Sequence, residues 1–104
     1  AENNTEIDWI FIFNHHPGHT EIWPEGNTNW VQNTVIPLLS QYDKAELYFY
    51  GHSHDYERGI APNGNLRMIL TGGGGAALDR WGMYDNQTDY PEIQCTFDYY
   101  NYVL

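Results

Sequence analysis

Short apolar runs alternate with loops marked by Gly, Pro and Asn, and the runs do not share one period. Residues 1–6 are polar and read as a frayed lead-in. Residues 7–13 are an almost unbroken apolar and aromatic run, which predicts a strand covered on both faces. It halts at Asn14-His15-His16-Pro17-Gly18, where the Pro-Gly pair enforces a loop. Over 29–42 the spacing turns helical: Trp30, Val31, Val35, Leu38, Leu39 and Tyr42 can share one broad face, with Asn29 as N-cap. Pro37 predicts a kink there, or a fresh helical start with the proline in its first turn. Ala45 to Tyr50 reads as a second strand, running directly into Gly51-His52-Ser53-His54. Asn63-Gly64 between Ile60 and Leu66 is a hairpin-type turn signal, and Arg67 to Thr71 is a third strand ending in four glycines. Residues 76–95 carry no period, and 96–104 return to a strand-like pattern.

The order strand–helix–strand–strand predicts an α/β fold, part of a layered sandwich. Strands one and two, joined through the helix, should run parallel. Their C-terminal ends then lie at one sheet edge, where open α/β sheets place ligands. That topology makes His15 a spatial neighbour of His52 and His54 despite their distance in sequence.

Composition narrows the function classes. With four basic and fourteen acidic residues in 104, the net charge is −10, which argues against nucleic acid as a partner. A single cysteine, Cys95, excludes an internal disulfide framework and any multi-cysteine zinc site, and reads as a small buried hydrophobe. No apolar window is long enough for a membrane span. The length allows one domain at most. The start, Ala-Glu-Asn-Asn, has neither Met nor a signal-type apolar run and reads as a processed or excised piece. Low lysine content points toward a secreted or periplasmic setting.

Imidazole is the commonest side chain for borderline transition metals, and an extended His52-Ser53-His54 segment projects both rings to one side. On spacing alone, metal ligation and ordinary hydrogen-bonded histidines both remain open. The fuller string decides more. Gly51-His52-Ser53-His54-Asp55-Tyr56-Glu57-Arg58 resembles the G-H-x-H-x-Y-E-R signature of metallophosphoesterases, in particular the purple acid phosphatase-like branch. Asn14-His15-His16-Pro17 is similar to that family's H-x-P block, and Leu70-Thr71-Gly72-Gly73-Gly74-Gly75-Ala76 to its glycine-rich strand end. The resemblance covers residues 7–78.

It implies a phosphoester substrate, two divalent or trivalent metal ions (Fe, Zn or Mn) in the intact domain, and hydrolysis by a metal-activated hydroxide. Carried over residue by residue, it makes His15, His52 and His54 metal ligands, the first two on one ion and His54 on the other. His16 and His19 become substrate-facing candidates, with a packing role as the alternative for each. Asp55 is either an exposed loop acid or an acceptor that orients a ligating ring. Tyr56, Glu57 and Arg58 read as a structural unit in which a Glu–Arg pair pins the loop. Gly72, Gly73, Gly74 and Gly75 let backbone pass close to the site.

The family's earlier blocks, which supply a bridging carboxylate and further ligands, do not occur in these 104 residues. Residues 1–104 therefore read as a single partial domain, the C-terminal segment of such a catalytic domain. It holds at most a partial metal site and is inactive alone, and another segment or chain must complete it. Trp9, Phe11, Phe13, Tyr48 and Tyr50 are expected to be exposed or covered by that missing part. The alternative is a non-catalytic metal-binding or protein-interaction domain that keeps the His loops. A third possibility gives those loops a purely structural role.

Overall fold

The computed structural model describes residues 1–62 and 64–104, so the Asn63 half of the expected turn lies outside the described residues. Five strands form one mixed sheet: β1 (Ile10–Phe13), β2 (Ala45–Tyr50), β3 (Tyr56–Ile60), β4 (Arg67–Thr71) and β5 (Ile93–Phe97), in the order β1-β2-β4-β3-β5. β1 and β2 pair parallel, with Phe13 opposite Phe49, as the crossover rule requires. β4 joins β2 parallel, whereas β3 runs antiparallel between β4 and β5. The α/β architecture expected from the pattern is the one observed, with β3 and β5 as added antiparallel strands.

The crossover segment is less regular than its spacing suggests. Asn29 and Trp30 are α-helical, Val31–Val35 form a π-type turn and Ile36–Leu39 are α-helical again (α1), with Pro37 in the first turn. Proline has no N–H to offer an i→i−4 bond, and a widened turn just before it accommodates that gap. No side chain caps the turn, so Asn29 does not act as an N-cap. Of the predicted apolar face only Val31 is fully buried, joined by Ile36, with Val35 and Leu39 packed at the margin. Trp30, Leu38 and Tyr42 are exposed.

The sheet is covered on one face only. Tyr48, Tyr50, Met68, Leu70 and Ile93 point into a core closed by Val31 and Ile36. Tyr48 and Tyr50 are thus buried, contrary to expectation, whereas Trp9, Phe11 and Phe13 are exposed. Strand parity explains the split: the register sets Phe11 beside Leu47 and Phe13 beside Phe49, leaving Tyr48 and Tyr50 on the opposite face. The same alternation shows in β1, which is half-buried and exposed by turns rather than covered on both sides. Cys95 is half-buried on the outer face, not in the core.

Candidate metal centre

Two loops leave the sheet side by side. The β1–β2 ladder continues past the strand ends through Asn14 N–H to Phe49 O (3.0 Å) and Gly51 N–H to His15 O (3.1 Å). Asn14 Nδ2 donates both to His16 O (3.1 Å) and to the Tyr48 hydroxyl oxygen (3.0 Å), which fixes the turn carrying the two histidines. As a result His15 Nε2 lies 3.0 Å from His52 Nδ1.

The 51–55 loop must step from β2 to β3 across the end of β4, which lies between them. Gly72, at that end, has no Cβ for a physical reason: one built there would sit 1.7 Å from Ser53 O. Gly72 N–H in turn donates to Asp55 O (2.9 Å). Gly73 lies against Tyr99 and Asn101, Gly74 faces open space, and Gly75 adopts φ +142°. The close approach is therefore the work of Gly72 and Gly73, not of all four. His52 itself has φ +73°, a left-handed conformation uncommon for a side-chain-bearing residue.

His15, His16 and His52 come together, each offering a ring nitrogen such that all three lie within 4.8 Å of one another. Their rings meet edge to face, and the Trp23 indole packs on His52 at 4.8 Å between centroids. Burial, and then the neighbouring His16, His15 and His54 rings, hold the His52 pKa below its ordinary 6.5, so it is neutral at neutral pH.

His54 stands apart from this trio. Its Nδ1 is 2.8 Å from Ala77 O, an arrangement that makes Nδ1–H the donor and leaves Nε2 with a free lone pair. Its backbone N–H donates to Asp79 Oδ2 (2.7 Å), and Asp79 Oδ1 accepts from the Tyr84 hydroxyl (2.7 Å). That bond is the main reason the Tyr84 pKa is pushed up to about 12. Ala77, Asp79 and Tyr84 belong to the stretch that carried no period, so only the loop geometry brings them out. His19 lies elsewhere: it is buried, with Nδ1 2.9 Å from Glu92 Oε1 and its ring against Tyr90. Burial lowers its pKa, partly opposed by Glu92.

Beneath the loops Glu57 is fully buried and does not pair with Arg58, because adjacent strand residues face opposite sides. Its Oε1 instead accepts from Thr20 Oγ1 (2.7 Å), Glu21 N (2.8 Å) and Ile22 N (3.3 Å), lashing the chain after His15 to β3. Arg58 and half-buried Tyr56 lie on the outer face. Asp55 is equally buried, and neither of its oxygens has a hydrogen-bond partner among the described residues; nor do Glu57 Oε2, Ser53 Oγ and Tyr50 Oη. Burial raises the pKa of both acids, and the adjacent carboxylate adds to the rise at Glu57. A pair so enclosed retains a proton far above the ordinary carboxylate range.

No protein-family profile matches the chain. Among curated proteins it is similar to purple acid phosphatase 4 of Arabidopsis thaliana, at 26% identity over 90 residues. The match takes in 86% of this chain and 25% of the relative, so the chain spans about a quarter of that protein's length. The relationship this indicates is distant and phosphoesterase-like.

Proposed function

We propose that this chain is the histidine-loop segment of a metallophosphoesterase of the purple acid phosphatase-like type, and that the complete protein hydrolyses phosphate esters. The observation that carries this reading is the meeting of His15 and His52 at 3.0 Å from two parallel strand ends, 37 positions apart. The donor set fits borderline metals: imidazole nitrogens at an open rim, with His54 Nε2 freed by the engagement of Nδ1. In this reading His15 and His52 serve one ion and His54 a second. Such ions, once bound, lower the pKa of water and hold phosphate oxygens.

The chain's own residues do the positioning. Ala77 and Asp79 orient His54, Trp23 walls one side of His52, and Glu57 keeps the two loops in register. His16, exposed beside His52, is the substrate-facing candidate; His19, sealed against Glu92, is not. Residues 1–104 then make one partial domain, and a further segment would supply the carboxylate ligands that a two-metal site needs to offset the repulsion of its cations.

The test is hydrolysis of p-nitrophenyl phosphate with metals supplied. The 104-residue chain alone is expected to be inactive. The same chain completed with the preceding part of its coding sequence is expected to turn over, and His52→Ala to abolish that turnover. Strong His52-dependent activity from the chain alone would defeat the partial-site reading. A completed, folded and metal-loaded protein with no turnover on a broad phosphoester panel would favour a non-catalytic metal-binding domain.

A further inference from the structure

The family pattern gives His15, His52 and His54 to metal and leaves His16 without a fixed role. The geometry points to a different set for the chain by itself. We infer that the 104-residue chain binds one borderline divalent ion of the zinc or cobalt class through His15, His16 and His52, with a fourth position open. The inference rests on the metal-centre reading of these loops, and not on phosphoester chemistry.

Metal–nitrogen bonds of 2.0–2.1 Å in a tetrahedron set ligand nitrogens about 3.3–3.4 Å apart. His15 Nε2 and His52 Nδ1 already stand at 3.0 Å, and His15, His16 and His52 each offer a ring nitrogen within 4.8 Å of the other two. Ring rotations close the remaining gap, and the exposure of His15 and His16 leaves room for them. The backbone of the turn is meanwhile held by Asn14, so the two rings stay on the same side as His52. Three nitrogens facing solvent with an open fourth position suit an ion that carries one water or small anion.

His54 is excluded from this set by its anchoring. Its Nδ1 is engaged by Ala77 O and its backbone N–H by Asp79, while its ring nitrogens lie outside the span that joins the other three. Turning the ring toward the trio breaks the Ala77 bond. His16 therefore completes a one-ion site in the chain alone, and His54 is left for a second ion.

Titrating the chain with Co²⁺, followed by its visible ligand-field bands, and with Zn²⁺ in a calorimeter, gives stoichiometry and affinity. One ion per chain is expected. His16→Ala should weaken binding by at least about tenfold. Side-chain ¹⁵N spectra of the wild-type chain with Zn²⁺ read the same question without substitution: His15, His16 and His52 should show metal-bound nitrogens and His54 should not. Binding that ignores His16→Ala but is lost in His54→Ala, a Zn²⁺-shifted His54 ring, or two ions per chain would each overturn the inference. So would the absence of any bound ion. The phosphoesterase reading would still stand on the assay of the completed protein.

Discussion

The two faces of the sheet follow opposite rules. The inner face buries Tyr48, Met68 and Leu70 at or below 1% exposure, and within that core it also encloses Asp55 and Glu57. The outer face shows Phe11, Phe13 and Phe97 to solvent and carries Arg58 and Arg67, the latter paired with Glu46. Two acids are therefore enclosed inside while three phenylalanines stand outside, the reverse of ordinary partitioning for those residue types. The inner acids are tolerable because Glu57 Oε1 meets three donors and a retained proton offsets charge. The outer aromatics are the kind of patch that another sheet or chain covers. One face is filled; the other leaves its aromatic side chains exposed.

The largest test of this contrast is Glu57→Ala. It strips the Thr20 hydroxyl and two backbone N–H groups of their acceptor inside the core, and about 3 kcal/mol or more of stability should be lost, read by urea unfolding. The pH profile should change as well. The Glu57 pKa rises on folding from 4.5 to about 9, so its contribution is whole below 4.5 and is lost as pH climbs through about 9. Wild type should therefore lose stability across that window, and the Ala variant should lose most of that slope. A wild-type profile with the opposite slope, unaltered by the substitution, would refute the retained proton.

Gly72→Ala comes next. The added methyl meets Ser53 O, a backbone atom that cannot swing away, at a cost of about 1–3 kcal/mol in thermal melts. A neutral result would mean that the 51–55 loop does not rest on β4. The smallest effect should come from the outer face: Phe13→Ser ought to leave stability within about 0.5 kcal/mol, since Phe13 is 74% exposed and stacks only on Phe49. Light scattering is the sharper readout there, with self-association reduced. A loss comparable to that of Glu57→Ala would show that the outer face is already part of the core.

What the sequence disclosed follows from how local each signal is. The apolar runs at 10–13 and 45–50, with a helical spacing between them, sufficed for a parallel pair and for the adjacency of His15 and His52. The same runs could not say which parity faces the core, since Phe11 and Tyr48 are equally apolar by type; the β1–β2 register decides it. The position of β4 between β2 and β3 has no local signature either, and reading 51–58 as a loop string rather than a loop running into β3 makes Glu57 a partner for Arg58 instead of a buried tie. The hold on His54 by Ala77 and Asp79 escaped because an aperiodic segment offers nothing to count.

The interposed strand also sets an order of events. β3 takes its hydrogen bonds from β4 and β5, both of which follow it in the chain, and the histidine loop is a bridge across a slot that β4 must fill. While the polypeptide is being made, His52 and His54 emerge before the strand that supports them, and the left-handed turn at His52 has nothing to rest on. Closing such non-local pairings is the slow part of folding. The shape of the histidine loops therefore depends on strand pairings that are distant in the chain, and not on the loop sequence alone.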